Sequence, residues 1–191
     1  EHQVTVDGEY SKLEEPFVVI ATQNPIETAG TYQLPEAQLD RFLMKINMGY
    51  PEKDDEVLIL NRFLTSNPEI TLEKVATCED VIAMKEDAKN VYIHPVLIEY
   101  IVELARMTRN EENVLTGVSP RGTLGMLNAA RAYAYVSGRD YVVPEDIKIL
   151  APYVWAHRLV LQTGFMNRDN KEQIIGNVVS KTAVPTEDWN R

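Results

Sequence analysis

The chain has 191 residues, of which 45% are hydrophobic and 25% are charged, and its formal net charge is −10. These proportions are those of an ordinary globular protein, with enough residues for one large or two small domains. The acidic balance argues against a non-specific hold on a nucleic-acid backbone, and the sequence contains no run of lysine and arginine. We therefore expect no nucleic acid among the partners.

A single cysteine, Cys78, excludes an internal disulfide and favours a reducing compartment. No apolar run approaches the roughly 18 residues that a membrane span needs, and no signal peptide is recognisable. We expect a cytoplasmic protein without stable membrane insertion. The sequence begins at Glu1 rather than at methionine, and its first residues already have the pattern of a strand. This start favours a fragment of a longer protein.

The first elements predicted along the chain are strands. Residues 3–13 predict a β-hairpin, because Asp7-Gly8 is a favoured two-residue turn. The apolar run FVVIA at 17–21 is typical of a strand buried on both faces of a parallel sheet. Polar residues up to Asn24 follow this run. Asn24 is therefore predicted at the carboxyl end of a strand, where open α/β sheets bind ligands.

A short helix is predicted from about Pro35, with Arg41 near its end, and residues 42–48 predict another strand. Residues 1–51 offer too few elements to close a core by themselves. We therefore expect exposed apolar surface, or a self-association made by residues 17–21 and 42–48.

Residues 52–185 predict a helical region of about six helices, because apolar side chains recur there at helical spacing. Ser119-Pro120 combines a capping hydroxyl with a proline at the first helical position, and the loop before it, residues 110–118, is polar. An interior proline costs about 3 kcal/mol in a helix. We expect Pro152 to end one helix, with another following it.

Three long stretches resemble the MoxR family of AAA+ ATPases. They are ATQNPIETAGTYQLPEAQLDRF at 21–42, SPRGTLGMLNAARAYA at 119–134 and GRDYVVPEDIKILAPYVWAHRL at 138–159. QVTVDGE at 3–9 and GYP at 49–51 extend the resemblance over nearly the whole chain. The chelatase and replicative-helicase branches of AAA+ share these motifs, but the sequence GTYQLPEAQLDRF favours the MoxR family.

The resemblance implies a mainly α fold with a small α/β part. Residues 1–51 would be the C-terminal remnant of the AAA+ P-loop NTPase α/β subdomain, and residues 52–191 an all-α helical lid. The whole protein would be a ring, expected to be a hexamer, that couples ATP hydrolysis to chaperone-like remodelling or maturation of partner proteins. Proteins with von Willebrand factor A domains are among the partners that the resemblance implies.

The resemblance also assigns roles to three residues. Asn24 matches sensor 1, which orients the attacking water, and Arg41 matches the arginine finger that acts on nucleotide in the neighbouring subunit. Arg121 matches sensor 2, which contacts the nucleotide of its own subunit. A carboxamide both donates and accepts hydrogen bonds, and a guanidinium fits phosphate oxygens, so the residue types suit these roles.

Each of these residues also has a structural alternative. Asn24 is a residue that often caps a turn, and a first-turn arginine such as Arg121 can be simply solvated. Arg41 could pair with Glu36 or Asp40. These two acids are otherwise interpreted as solvated or as positioning Arg41, because neither has a partner that would make it a general base.

Two nucleotide-binding motifs are absent. None of the nine glycines belongs to a G-x-x-x-x-G-K-[ST] loop, and no apolar strand ends in Asp-Glu. We therefore expect ATP and Mg²⁺ as cofactors of the full-length protein only, and no hydrolysis by this chain alone. The rival hypothesis is a non-catalytic helical adaptor or assembly module that binds protein partners.

The remaining candidates are weak. His2, His94 and His157 are far apart in the sequence and lack the spacing of metal ligands, so no metal site is expected. His94 precedes a proline and is interpreted as the start of a helix. His157 and Arg158 lie near a predicted helix end, where positive charge is favourable.

Overall fold

The computed structural model describes residues 3–23, 34–65, 72–162 and 168–185. Asn24 therefore lies outside the described residues. In chain order the described elements are β1 Gln3–Val6, β2 Glu9–Lys12, α1 Glu36–Leu39, α2 Lys53–Thr65, α3 Cys78–Lys89, α4 Pro95–Asn110, β3 Val114–Thr116, α5 Pro120–Val136, α6 Pro144–Trp155, a 3-10 turn Ala156–Arg158, β4 Val160–Leu161 and α7 Arg168–Lys181.

The core lies among α4, α5, α6 and α7, with the 3-10 turn packed against α6 and α7. Its largest fully buried side chain is Trp155, which donates a hydrogen bond from Nε1 to the Gly122 carbonyl of α5 at 2.9 Å. Truncating such an aromatic residue to alanine typically costs about 3–5 kcal/mol. The mainly α fold class is confirmed, and the region 52–185 contains six described α-helices.

The N-terminal hairpin forms as predicted. β1 and β2 pair antiparallel, with Gln3 opposite Lys12 and Val6 opposite Glu9. Asp7 and Gly8 have φ angles of 51° and 86°. Positive φ at both central positions is the requirement of the turn that matches the strand twist.

The two strands predicted at 17–21 and 42–48 do not form among the described residues. Val18 is 73% exposed and Ile20 is 86% exposed, so the prediction of a buried strand is wrong for this structure. A strand is held by ladder bonds to a neighbour and by cover on its faces, and neither sheet of the described residues includes this segment. The expected exposed apolar surface is confirmed, whereas self-association stays a prediction.

Helix α2 adds to this exposed surface. Its side chains from Lys53 to Leu64 are all exposed, including the apolar ones. Acidic residues occupy its first turn and Arg62 its last, which favours the helix through its dipole. Packing within the described chain therefore contributes little to α2.

Pro152 does not end a helix, contrary to the prediction. α6 continues to Trp155 with Pro152 inside it, and the 3-10 turn and β4 follow instead of another helix. Ala151, Val154 and Trp155 are buried around the proline. Their burial offsets the backbone bond that the proline removes.

The predicted polar loop at 110–118 contains a short strand. β3 pairs antiparallel with β4, and Val114 is opposite Leu161. Both of these side chains are buried against the core. The buried pair Val114 and Leu161 thus ties a loop that looks polar to β4, while Leu115 and Thr116 stay exposed.

The helix boundaries follow the predicted capping. Ser119 accepts a hydrogen bond from the Gly122 amide at 3.3 Å, and His94 caps α4 by accepting from the Val96 amide at 3.3 Å. Gly138 follows the C-cap of α5 with a φ of +74°. No helix in the described ranges is long and apolar enough to cross a membrane.

Two glycines should respond in opposite ways to alanine. Gly138 has open space where a Cβ would lie but a positive φ, so Gly138→Ala should destabilise the chain by about 1–2 kcal/mol. Gly176 lies exposed inside α7 with equal space and no positive φ. Gly176→Ala should therefore stabilise the chain by about 0.5–1 kcal/mol through helix propensity.

Urea denaturation of the two variants beside the wild type measures both changes. Each substitution adds one methyl group with no contact nearby, so the pair separates backbone strain from packing. A destabilised Gly176→Ala, or a Gly138→Ala chain as stable as the wild type, would contradict the assigned backbone conformations.

Candidate functional site

The side chain of Arg158 is the centre of a buried polar network. Its Nε donates to the Val154 carbonyl at 2.8 Å, and its Nη1 donates to both the carbonyl and the carboxylate Oδ1 of Asp40 at 2.7 Å. Its Nη2 donates to the carbonyls of Phe42 at 2.7 Å and Leu43 at 3.4 Å. All five guanidinium donors are thereby used. We call these contacts the Arg158 network.

Helix α5 leaves room for this side chain because it has glycines at 122 and 125. A Cβ on Gly122 would lie 3.2 Å from Arg158 Cδ, and a Cβ on Gly125 would lie 3.6 Å from its Nη2. Two glycines three residues apart lie on one face of a helix. Arg158 therefore crosses the first turns of α5 in a groove that larger residues would fill.

Asp40 also contacts the start of α5. Ser119 Oγ donates to the two carboxylate oxygens of Asp40 at 3.3 and 3.5 Å, which are long distances for a hydroxyl donor. The Arg158–Asp40 ion pair, at 2.7 Å, is the stronger link. Of our two interpretations of Asp40, the solvated acid is wrong, because its carboxylate pairs with a side chain that is 3% exposed; that Asp40 positions Arg41 stays a prediction.

The loop before α5 is held in place by a second set of bonds. Thr108 Oγ1 accepts from the Val118 amide at 3.0 Å, and Arg109 Nε donates to the Val118 carbonyl at 2.9 Å. A Cβ on Gly117 would lie 2.7 Å from the Arg109 backbone nitrogen. This close approach fixes where Ser119 begins the helix.

The structure places Arg41 and Arg121 next to this network. Arg41 is exposed and lies between Asp40 and Phe42, whose carbonyls both accept from Arg158. Arg121 is exposed at the second position of α5, beside Gly122. The Ser119–Asp40 contact brings together the two segments that carry these arginines. The third predicted site residue, Asn24, lies outside the described residues.

His157 is buried beside the network and binds the same segment. Its Nε2 lies 3.2 Å from the Phe42 carbonyl, which can only accept, so Nε2 carries the proton of the neutral ring. Burial lowers the pKa of His157; the bond to Phe42 raises it, and the charge of Arg158 lowers it further. The net shift is downward, which favours the neutral ring.

Sequence reasoning identified Arg158 only as a charge near a helix end. One contact fits that interpretation, because Arg158 binds the Val154 carbonyl in the last turn of α6. The contacts to residues 40–43 were missed, since they join positions more than 110 residues apart. An arginine within the mostly apolar stretch APYVWAHRL was the available signal.

Other polar groups outside this network have structural roles. Arg139 binds Asp146 through two hydrogen bonds of 2.8 and 2.6 Å, and Asp146 accepts from the Val143 amide at the start of α6. Over the ranges that the structure describes, no three His, Cys, Asp or Glu side chains form a possible metal site. Two clefts in those ranges, one beside Asp87 and one beside Tyr92, are lined by neither Arg41 nor Arg121.

The chain matches two family models. The model described as ATPase family associated with various cellular activities (AAA) matches residues 1–44, and the model for the AAA lid domain matches residues 106–178. The protein YeaC of Bacillus subtilis is 45% identical over 188 residues, which are 98% of this chain and 59% of that protein. Chaperone MoxR1 of Mycobacterium tuberculosis is 39% identical over 195 residues, with 97% and 51% covered.

A solved structure gives the same result. The crystal structure of a candidate ATPase from Cytophaga hutchinsonii matches with a TM-score of 0.85 and 34% identity, over 97% of this chain and 59% of that chain. The chain belongs to the MoxR family of AAA+ ATPases. It spans 59% of YeaC and 51% of MoxR1. The family predicted from the three stretches is thus confirmed, and the lid match fits the helical part of the fold.

The lowered pKa of His157 predicts a pH-dependent stability. The unfolded histidine has a pKa of about 6.5, and the folded one lies lower. Below about pH 6.5 the unfolded chain therefore binds more protons, and the free energy of unfolding falls as the pH falls. His157→Gln keeps a donor for the Phe42 carbonyl and removes the titration.

Urea denaturation of both proteins at pH 5, 6 and 7 checks this expectation. The wild type should lose more stability than His157→Gln between pH 7 and pH 5. Equal losses in the two proteins would mean that His157 takes up its proton as readily in the folded chain as in the unfolded one.

Proposed function

We propose that the chain is the C-terminal portion of a MoxR-type AAA+ ATPase. In the full-length protein, ATP binding and hydrolysis in a homo-oligomeric ring would drive chaperone-like remodelling of partner proteins. Residues 1–51 are assigned to the end of the α/β nucleotide-binding subdomain and residues 52–191 to the helical lid. Support comes from the family membership and from the relative that is named as a chaperone.

Arg41 is proposed as the arginine finger that acts on nucleotide in the neighbouring subunit. The observation that carries this role is the anchoring of its backbone: the carbonyls on both sides of Arg41 accept from the buried Arg158. The Arg41 side chain itself is exposed. An exposed guanidinium on a fixed backbone suits a group that stabilises charge developing on phosphoryl oxygens.

Arg121 is proposed as sensor 2, which contacts the nucleotide of its own subunit. It lies exposed in the first turn of α5, where backbone amides favour an anion. A cation in that turn is unfavourable unless an anion is bound nearby, which supports a functional reason for Arg121. Asn24 is proposed as sensor 1 on the resemblance alone.

The residues present fit part of a nucleotide site. Arg41 and Arg121 have the chemistry to bind phosphate oxygens. The sequence has no loop of the G-x-x-x-x-G-K-[ST] type to hold them, and the described residues offer no carboxylate cluster for Mg²⁺. We therefore propose that this chain alone is inactive, and that the full-length protein binds ATP and Mg²⁺ with other residues.

Ring assembly follows from the role given to Arg41. A finger that acts on the neighbouring subunit requires adjacent copies, and a hexamer is the arrangement that the family resemblance implies. Proteins with von Willebrand factor A domains are proposed as partners on the same basis. Pull-downs with such a domain would compare the full-length ring with a ring that lacks residues 52–191. The comparison tests whether the lid contributes to partner binding.

Arg41→Ala in the full-length protein should abolish most ATP turnover. Removing a finger of this kind costs about 10³-fold or more in kcat, whereas nucleotide bound by the same subunit loses no contact. We expect kcat to fall and the Kd for ATP to stay within about twofold, since Arg41 acts on the transition state. Steady-state turnover and equilibrium binding measure the two quantities.

Arg106→Ala is the matched control, because it removes an exposed arginine of α4 that is not part of the Arg158 network. It should leave turnover unchanged. Normal turnover in Arg41→Ala would refute the finger assignment. If Asn24→Ala also left turnover intact, the non-catalytic adaptor would become the better hypothesis.

Arg121→Ala should weaken nucleotide binding within the same subunit. A charge-assisted bond to phosphate contributes about 1.5–3 kcal/mol, which corresponds to a Kd for ATP raised by roughly 10-fold to 100-fold. The wild-type fold of α5 should persist, because Ser119 rather than Arg121 caps the helix. An unchanged Kd would refute the role of Arg121.

A further inference from the structure

Arg158 contacts the chain neighbours of both proposed nucleotide-sensing arginines. On one side its Cδ packs against Gly122, which directly follows Arg121 in the first turn of α5. On the other side it donates to the carbonyls of Asp40 and Phe42, which flank Arg41. A single buried side chain therefore joins the backbone beside Arg121 to the backbone beside Arg41.

This connection is stiff for a physical reason. The Arg158 side chain is 3% exposed, and its donors are shared among four backbone carbonyls and one carboxylate. Moving a buried guanidinium away from any of these partners leaves polar groups without water, which costs more than an ordinary surface contact. A displacement of the first turn of α5 is therefore transmitted to residues 40–43 rather than absorbed between them.

We propose that Arg158 is a positioning residue that couples Arg121 to Arg41. A shift of the first turn of α5, when Arg121 contacts phosphate in its own subunit, passes through Arg158 to the turn that presents Arg41 to the neighbouring subunit. Nucleotide bound in one subunit thereby determines how Arg41 of that subunit is positioned toward the nucleotide of the neighbouring subunit. This inference rests on the proposed function and adds the residue that links its two arginines.

The mechanical part can be tested on the chain itself by hydrogen exchange. Gly122→Ala places a methyl group 2.7 Å from Val118 Cγ1 and 3.2 Å from Arg158 Cδ, so it displaces the α5 end of the connection. The readout is at the other end: the Lys45 amide donates to the Tyr153 carbonyl at 2.9 Å and is measurable. Gly122→Ala should speed its exchange by about tenfold.

The role of Arg158 in this effect is measured by making Gly122→Ala in a chain that lacks the Arg158 guanidinium. In an Arg158→Lys background, Gly122→Ala should change Lys45 exchange by less than about twofold, because lysine cannot hold several carbonyls in fixed directions. Two matched controls are used. Gly176→Ala adds a methyl group elsewhere, and Arg139→Lys removes a different guanidinium that makes two hydrogen bonds. Neither should alter the Lys45 amide. An equal effect of Gly122→Ala in both backgrounds overturns the coupling.

The functional part is a double-mutant cycle on ATP turnover by the full-length protein. Arg158→Lys should lower kcat by about 10-fold to 100-fold, as expected when a catalytic group is misplaced. The Arg41→Ala, Arg158→Lys double variant should turn over no more slowly than Arg41→Ala alone. Additive losses would mean that Arg158 supports the fold generally and does not act through Arg41. Arg139→Lys should keep wild-type kcat.

Asp40→Asn keeps the side-chain shape and removes the charge, so it serves as the second variant if Arg158→Lys fails to fold. It should show the same non-additivity with Arg41→Ala. The two arms separate the hypotheses. Full turnover by Arg41→Ala overturns the proposed function whatever the exchange data show. Low turnover by Arg41→Ala, together with uncoupled exchange, overturns only the role of Arg158.

Discussion

The position of the Arg41 turn depends on one buried cation, Arg158. A guanidinium that leaves water loses a large solvation free energy, and only complete pairing makes its burial tolerable. The network meets this condition, because all five donors have acceptors and Asp40 supplies the opposite charge. Four of the five acceptors are backbone carbonyls, so the network fixes the path of the chain rather than the rotamers of a few side chains.

The shape of α5 makes this arrangement possible. Gly122 and Gly125 weaken the helix in propensity, by about 1 kcal/mol each relative to alanine. In return, the Arg158 side chain crosses the helix at close range, and Trp155 Nε1 reaches the Gly122 carbonyl. Trp155 at the end of α6 and Arg158 in the 3-10 turn that follows thus contact the same glycine of α5. The two residues that weaken the helix therefore lie where other elements approach it closely.

The sequence predicted what is local and missed what joins distant segments. The Asp7-Gly8 turn, the Ser119 cap and the start of α4 at His94 depend on neighbouring residues, and each is confirmed. Pro152 was predicted wrongly because burial around it outweighs a local penalty. Arg158 was assigned to its own helix, since no local pattern shows that a guanidinium pairs with residue 40.

The two errors at residues 17–21 and 42–48 have a different cause. A β-strand exists only with a neighbour, so its pattern predicts a strand on the condition that ladder partners are present. The Arg158 network does not depend on further chain segments, because every one of its acceptors belongs to the described chain. Residue 42 illustrates the difference: the pattern makes it the start of a strand, whereas Arg158 and His157 bind its carbonyl. Among the described residues, the backbone on both sides of Arg41 is therefore bound by side chains from the helical part of the protein.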